Sequence, residues 1–311
     1  MRTEPHPASI GAMHPVDALH RLGGVATYGA LAALTGRRGL EAGMQAGDVV
    51  KDARGRYALP AADQAKRAAH ALSGVVSHLS AALHWGWEVK TIPTRPHVTI
   101  PRNRNLRAAA REVAHPHWAR LDAHEVIDGV TTRDRTLVDC LRTLPFDEAL
   151  AVADSAMRHG DATAAHLGLL AAGLAGPGAE RGRKVARCAD GAAANPFESV
   201  LRAISLDVPG LAFRPQLRIT APGFFARPDL VDPDLRAVAE ADSNTWHNGS
   251  RAQLRRDCRR YTGLVVRGWW VTRFAWEDVM FEPDYVGREL GLLVTRARER
   301  AQPASRRRRP A

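Results

Sequence analysis

Apolar and polar positions in the first sixty residues follow a helical period three times and then alternate. The segments "PVDALHRLGG", "ATYGALAALTG" and "RRGLEAGMQAGD" predict three short helices. Thr27 is a candidate N-cap of the second, and Gly36 is its expected end. "VVKDARGRYALP" alternates around a turn, which is typical of a β-hairpin.

Three short helices followed by a hairpin is the order of a winged helix-turn-helix, which we predict for residues 1–60. In that motif the third helix enters the major groove and the hairpin meets phosphates. The candidate DNA contacts are therefore basic residues of these two elements, namely Arg37, Arg38, Lys51, Arg54 and Arg56. A small helical domain with ordinary solvated charges is the alternative.

Residues 61–190 are rich in Ala and predicted to form a mostly helical middle domain. "QAKRAAHALSGVVSHLSAALHWG" predicts one long helix with an internal Gly, and two further amphipathic helices meet around Pro145. "EVKTIPTRPHVTIPR" is more extended, and Pro96 favours an edge position for that segment. The Gly/Ala-rich stretch "RCADGAAANP" is the expected domain boundary.

Residues 195–290 alternate helix and strand patterns in the order α-β-β-β-α-β-α, which predicts an α/β core with a mixed sheet. Its first helix has Asn195 as N-cap, Pro196 at N1 and Glu198 at N3. "LAFRPQLRI" and "WWVTRF" are predicted strands, and "RPDLVDPDLRAVAEAD" is a predicted hairpin. Residues 291–311 complete a helix and form a basic tail. The fold class expected is thus an α+β multidomain protein.

The formal net charge of +11 favours a polyanionic partner, with nucleic acid ahead of membrane. Three widely spaced cysteines form neither a disulfide framework nor a metal knuckle, so we expect a reducing cytoplasm. The N-terminus lacks the apolar stretch of a signal peptide, and no transmembrane helix is expected. No feature indicates a small-molecule cofactor.

The predicted hairpin carries three acids in positions that strands usually leave to apolar residues, Asp229, Glu240 and Asp242. With an even loop, alternation places Asp229 and Glu240 on one face. Two ionised carboxylates about 5 Å apart repel by roughly 3 kcal/mol at an effective dielectric of 20. Mg²⁺, or Mn²⁺, converts that repulsion into a binding site suited to phosphodiester cleavage.

Ion pairing is the alternative explanation of these acids. Each of the three carboxylates could instead pair with Arg227, Arg236 or Arg273. The remaining acids of the hairpin, Asp232 and Asp234, are expected to be turn residues.

The segments "FESVLRAI", "PQLRI", "ARPDL", "AVAEADSNTWH", "RRDCRR" and "GWWVTRFAWEDV" occur in an order that resembles a bacterial domain related to the very-short-patch-repair endonucleases of the PD-(D/E)XK superfamily. The resemblance covers about residues 195–290. It implies that Asp229 and Glu240 bind the metal and that Glu198 supports the metal or its water. It also implies that His247 is a general base or phosphate ligand, and it marks Asp257 as the acid of the following helix.

Two of these positions have competing interpretations. Glu198 is equally suited to a capping box. Asp242 occupies the place where the wider superfamily has Lys, and Ser243 replaces the Gly that follows in nearer relatives, which puts catalytic competence in doubt.

The segments "SHLSAALHWGW", "HVTIPR" and "GVTTRDRTLVDCLRTLPFDEALAVADSAMRHG" give residues 12–160 a resemblance to the AbiEi-like antitoxins of type IV abortive-infection systems. That resemblance implies a DNA-binding winged helix with a helical companion domain, transcriptional autoregulation, and room for a partner toxin.

The sequence therefore predicts a protein of bacterial defence that binds double-stranded DNA and carries a metal-dependent endonuclease domain. The basic helix that follows the hairpin adds Arg255, Arg256 and Arg259 as phosphate contacts. The alternative is a non-enzymatic, antitoxin-like regulator in which the nuclease fold is a degenerate binding module.

Overall fold

Helices and short strands alternate along the chain, giving a mixed α/β architecture. The computed structural model describes residues 13–60, 62–242 and 251–301. The chain divides into two compact units, one made of the chain up to His84 with Pro93–Thr136 and the other of Trp85–Ile92 with the chain from Leu137 onward. The four-part division drawn from the sequence stays a prediction.

The helices are α1 Pro15–Arg21, α2 Tyr28–Gln45, α3 Gln64–Ala71, α4 His78–His84, α5 Ala108–Val113, α6 Arg133–Thr143, α7 Phe146–Arg158, α8 Ala164–Ala172, α9 Ala179–Cys188, α10 Pro196–Ser205, α11 Arg251–Val266, α12 Trp276–Phe281 and α13 Pro283–Ala301, with a short 3-10 helix at Ala123–Glu125. The strands are β1 Val25–Thr27, β2 Val50–Ala53, β3 Arg56–Ala58, β4 Val75–Val76, β5 His97–Ile100, β6 His115–Trp118, β7 Val126–Ile127, β8 Val130–Thr131, β9 Arg214–Pro215, β10 Ile219–Ala221, β11 Phe224–Ala226, β12 Leu230–Asp232, β13 Ala237–Asp242 and β14 Trp270–Ala275.

The beginning of the first unit has the predicted helices and hairpin, together with one strand that was not predicted, β1, which lies between α1 and α2. The Thr27 hydroxyl accepts a hydrogen bond from the Ala30 amide and caps α2. Gly36 has a φ of 67°, so α2 is two helical segments separated by a kink. The strands form an antiparallel sheet in the order β1-β3-β2, and α1 and α2 bury Leu19 and Leu31 in a shared core.

A five-stranded sheet, in the order β6-β5-β4-β8-β7, follows in the first unit, within the segment predicted to be mostly helical. The expected long helix over residues 64–86 is in fact α3, β4 and α4. The break occurs at Gly74, where an added Cβ would lie 2.6 Å from a Val98 methyl and 2.8 Å from the Thr99 carbonyl oxygen. The chain crosses β5 too closely there for a helix to continue.

The prediction of an edge position for the Pro96 segment is also wrong. β5 lies between β4 and β6 and begins one residue after Pro96. The Pro96 carbonyl accepts a hydrogen bond from the His115 amide at 2.7 Å. A proline that precedes a strand removes no donor from the ladder itself, which is why β5 can be an inner strand.

A four-stranded mixed sheet in the order β14-β13-β12-β9 organises the later part of the second unit. β12 pairs antiparallel with β13, and β13 pairs parallel with β14. One face packs on a core that includes Phe197 and Leu290, and the other on a core that includes Val231, Val238 and Leu264. The alternating side chains of β12 and β13 thus contribute to both cores, as expected for a sheet covered on both faces.

The predicted strand "LAFRPQLRI" is interrupted rather than continuous. β9 ends at Pro215 and β10 begins at Ile219. Gln216 between them has a φ of 56°, in the left-handed region that strands exclude. Because of this break, the Gln216 side chain does not follow the alternation of a regular strand.

A buried ion pair joins α7 to α10. Asp154 accepts hydrogen bonds from Arg202 Nη2 at 2.7 and 2.8 Å, from the Ser199 hydroxyl at 2.8 Å and from the Asp190 amide at 2.7 Å. The Asp154 and Arg202 side chains are 0% and 5% exposed. This network fixes the helix that carries Glu198.

Among the described residues, no helix combines the length and the apolarity needed to cross a membrane.

Replacing Asp154 by Ala is expected to lower the free energy of unfolding by about 3–5 kcal/mol, because Arg202 is left as a buried, uncompensated charge. Lys184→Ala removes the exposed pair between Lys184 and Asp207 and should cost less than about 1 kcal/mol. Urea unfolding followed by circular dichroism measures both. Equal losses in the two variants would contradict the structural role of the buried pair.

Candidate functional site

The register of β12 with β13 brings Asp229 and Glu240 together. Leu230 pairs with Ala239, Asp229 precedes Leu230, and Glu240 follows Ala239, so the two acids form the next pair in register. By alternation they share the face of Val231 and Val238, the face covered by α11. The sequence-based expectation that both acids lie on one face is confirmed.

Asp229 is held by two donors from neighbouring segments. Its Oδ1 accepts from Gln216 Nε2 at 3.2 Å, and its Oδ2 accepts from the Ala241 amide at 2.9 Å. Burial raises the pKa of Asp229 above its usual value, although the hydrogen bond from the Ala241 amide opposes the shift. Each carboxylate oxygen has two lone pairs, so these contacts leave acceptor capacity on both.

Glu240 is the most perturbed acid of the site. Its side chain is 6% exposed, and Oε1 accepts from Arg260 Nη1 at 2.7 Å. Burial and the neighbouring Asp229 carboxylate raise the pKa of Glu240 to about 7 despite Arg260. The single arginine beside Glu240 therefore does not offset the effects of burial and of the Asp229 carboxylate on its pKa.

Glu198 adjoins this pair through Gln216, whose Nε2 donates to Glu198 Oε2 at 2.9 Å as well as to Asp229. Glu198 also accepts from the Ala194 amide and from Asn195 Nδ2, both at 2.9 Å, while its amide donates to Asn195 Oδ1. Burial, followed by Asp229, raises the pKa of Glu198. Glu198 thus borders the acidic pair, while the N-cap of α10 is the Asn195 side chain. The Glu198 carboxylate bonds the Asn195 side chain and the Ala194 amide, and the reciprocal bond of a capping box, from the Asn195 amide, is not among its contacts.

Asp242 forms an ion pair with Arg273 of the neighbouring strand β14. The Arg273 guanidinium lies 4.3 Å from the ring centre of Tyr261. Burial and Glu240 raise the pKa of Tyr261 to about 12. Asp242 is therefore the acid for which ion pairing, the alternative to metal binding, applies most directly.

Several predicted residues lie apart from this group. Arg255, Arg256 and Arg259 are exposed on α11, and Arg37, Arg38, Lys51 and Arg54 are exposed in the first unit. Arg56 differs, since it is half-buried and donates to Ser73 Oγ at 2.6 Å, which ties the hairpin to the end of α3. Asp257 lies 3.7 Å from Arg260 in an ion pair. His247 and Ser243 lie outside the described residues.

Sequence reasoning did not select Gln216 and Arg260. Gln216 contacts Glu198 and Asp229, and Arg260 contacts Glu240. Gln216 lies in the segment "PQLRI", and Arg260 ends the basic run "RRDCRR". A glutamine in a presumed strand carries no charge signal, and Arg260 is one of five arginines within ten residues. Only the backbone break at Gln216 and the half-buried position of Arg260 distinguish them.

The donor set suits a hard cation at Asp229 and Glu240. The donor atoms available there are carboxylate oxygens, which Mg²⁺ prefers, and burial is the main cause of the raised pKa values of both acids. Glu198, Asp229 and Glu240 do not lie as close together as three histidines of the first unit. Over the described ranges, the group whose ligand atoms all lie within 4.8 Å of one another is His78, His97 and His117.

The curated proteins to which this chain is similar are uncharacterized. No family model matches the chain. Two curated proteins of Mycobacterium tuberculosis, uncharacterized protein MT2308 of strain CDC 1551 / Oshkosh and uncharacterized protein Rv2248 of strain H37Rv, are each 31% identical over 167 residues. The match covers 52% of this chain and 60% of each relative.

A solved structure, that of the RV2827C protein from Mycobacterium tuberculosis, aligns with 67% of this chain and 88% of its own. The TM-score is 0.35 and the sequence identity is 14%.

The raised pKa of Glu240 predicts a specific pH dependence of stability. The pKa of Glu240 is about 7 in the folded protein, whereas the unfolded side chain loses its proton near its ordinary pKa of 4.5. Stability therefore falls as pH rises through this window, by on the order of 3 kcal/mol from this residue. Urea unfolding at pH 5 and pH 8 should show that Glu240→Gln lacks most of this fall.

Asp229 and Glu198 shift in the same direction, so part of the fall should remain in the Glu240→Gln variant. Glu112→Gln alters an exposed acid of the first unit and is the matched control. An identical pH dependence in native protein and Glu240→Gln would refute the assignment of a protonated Glu240.

Proposed function

We propose that the chain is a DNA-binding protein whose second unit hydrolyses phosphodiester bonds with a divalent metal. The observation that supports this most is the adjacent pair of half-buried Asp229 and buried Glu240, with the pKa of Glu240 raised to about 7. A purely structural hairpin gains nothing from two adjacent acids that disfavour each other's ionisation. A site that binds a cation explains their position.

Asp229 and Glu240 would hold the ion. Mg²⁺ or Mn²⁺ bound there would activate a water and neutralise charge on the scissile phosphate. Gln216 positions Asp229 by donating to it, and Glu198 orients Gln216 from the other side. Arg260 neutralises Glu240 in the protein alone and is free to turn toward a phosphate when a cation takes its place.

The arginines of the following helix favour nucleic acid as the substrate. Arg255, Arg256 and Arg259 are exposed on α11, and Arg260 of the same helix contacts Glu240. Phosphates bound along this helix would lead toward the acidic pair. His247, by the resemblance to very-short-patch-repair endonucleases, would move a proton or bind phosphate.

In the first unit, the three helical segments and the antiparallel sheet support a winged-helix assignment, with Arg37 and Arg38 beginning the second part of α2. The exposed Lys51 and Arg54 would meet the DNA backbone. Arg56 is better explained by its bond to Ser73 than by DNA contact. A cytoplasmic location and a partner toxin belong to this proposal through the resemblance to AbiEi-like antitoxins.

A second candidate function is a non-enzymatic regulator that retains the nuclease fold as a binding module. The observation that favours it is that arginine side chains already neutralise two of the acids. Arg273 pairs with Asp242, and Arg260 pairs with Glu240. Asp242 stands where the wider superfamily has Lys, so the chain lacks that residue for positioning water. Such a protein would bind DNA through its basic surfaces without cutting it.

The full chain incubated with supercoiled plasmid and Mg²⁺ or Mn²⁺ should nick it. Asp229→Asn and Glu240→Gln should each lower the rate by about 10²-fold or more, the loss seen when one electrostatic group of an active site is removed. Gel electrophoresis of the relaxed form measures the rate. Asp234→Asn, which changes an exposed acid of the same hairpin, should leave the rate unchanged.

Cleavage by Asp229→Asn at the native rate would contradict the site. Absence of cleavage by the native chain, together with DNA binding that weakens steeply with salt, would instead establish the regulator.

A further inference from the structure

We propose that His78, His97 and His117 form a binding site for a transition metal ion, with Zn²⁺ the expected occupant. The site lies within the first unit and uses none of the residues assigned to phosphodiester hydrolysis. The proposal is therefore independent of the proposed function, and either can fail alone.

Strand alternation and register gather these histidines. β5 and β6 are parallel, with His97 opposite His115 and Thr99 opposite His117. All four side chains therefore share one face of the sheet. On the opposite face, Val98 and Ile100 are buried in the apolar interior. The sequence patterns "HVTI" and "HPHW" thus concentrate imidazoles on a single side.

His78 joins them from the start of α4 through an unusual backbone conformation. Its φ is 49°, in the left-handed region that is rare for a residue with a Cβ. Its ring stacks on that of His117, with centroids 3.5 Å apart and planes 12° from parallel. His78 is only 3% exposed. Uncommon backbone geometry that delivers a buried imidazole to two others is the type of feature found at functional sites.

The spacing of two ligand nitrogens already approaches that of a metal site. His97 Nδ1 and His117 Nε2 are 3.0 Å apart. Two nitrogens bound tetrahedrally to one Zn²⁺ at 2.0–2.1 Å are about 3.3 Å apart. His78 must rotate from its stacked orientation to aim a lone pair at the same point, and the second side-chain torsion of His permits this because its energy profile is broad.

A hydroxyl pair supports the cluster as outer-shell groups support metal-binding histidines. Ser77 Oγ lies 2.9 Å from His78 Nδ1, and Thr99 Oγ1 donates to Ser77 Oγ at 2.8 Å. This contact engages Nδ1 of His78 and leaves Nε2 for coordination. The exposed His115 stacks on His97 at 4.6 Å and places the cluster beside solvent.

The chemistry of the donors selects the metal class. Three neutral imidazoles suit Zn²⁺, Cu²⁺ or Ni²⁺ and are poor ligands for Mg²⁺. Three protein ligands leave a coordination position for water or a small anion.

Isothermal titration of the untagged full chain, first dialysed against a chelator, should show a single Zn²⁺ bound per chain. His97→Gln and His117→Gln should each weaken binding by roughly 100-fold or more, at least the loss produced by outer-shell changes at metal sites. Co²⁺ substituted for Zn²⁺ should give the intense visible absorption of tetrahedral nitrogen ligation, which the two variants lack.

His124→Gln, which changes an exposed histidine of the same unit, is the control and should bind Zn²⁺ like the native chain. Thermal unfolding in chelator establishes that the His97 and His117 variants are folded. Native-like Zn²⁺ affinity in folded His97→Gln and His117→Gln would overturn the proposal, as would the absence of stoichiometric binding by the native chain.

Discussion

The pairing of β12 with β13 depends on the buried carboxylate of Asp232. Its Oδ1 accepts from the amides of Asp234 and Leu235, both at 3.0 Å, and its Oδ2 accepts from the Ala212 amide at 2.8 Å. These bonds define the turn and attach it to the segment before β9. Because a slip of one residue reverses the face of every side chain, this turn decides whether Asp229 and Glu240 meet.

The charged groups around Asp229 and Glu240 allow two proposed states of the site, one neutralised by arginine and one by a metal ion. In the protein alone, Arg260 and Arg273 neutralise Glu240 and Asp242, while burial keeps the pKa of Asp229 and Glu240 raised. A divalent cation would replace Arg260 as the partner of Glu240 and lower both pKa values. The two proposed functions would share this architecture and would differ in whether a metal ion or arginine neutralises the acids.

Local sequence signals identified the parts of this fold that depend on neighbours in the chain. Asn195 and Thr27 cap the helices assigned to them, and Gly36 and Pro145 lie at the expected helix boundaries. Alternation also placed Asp229 and Glu240 on one face correctly. The resemblances that suggested nuclease and antitoxin functions stay predictions.

The features that sequence reasoning missed depend on contacts between distant segments. Gly74 breaks a helix because β5 passes it, and β5 is an inner strand because β6, 18 residues further along the chain, pairs with it (His97 with His115). Gln216 reaches two acids only because its backbone leaves the strand. The histidines of β5, β6 and α4 lie far apart along the chain, so no local sequence pattern predicts that they form a cluster.

Mg²⁺ binding to the full chain at about pH 6, measured by isothermal titration in native protein and Asp229→Asn, is the most direct test of the metal pair. Below the pKa of Glu240, the native chain should show saturable binding accompanied by proton release from Glu240, and the variant should lose that binding. Equal binding by both proteins, or none by the native chain, would contradict the assignment of Asp229 and Glu240 as a metal pair.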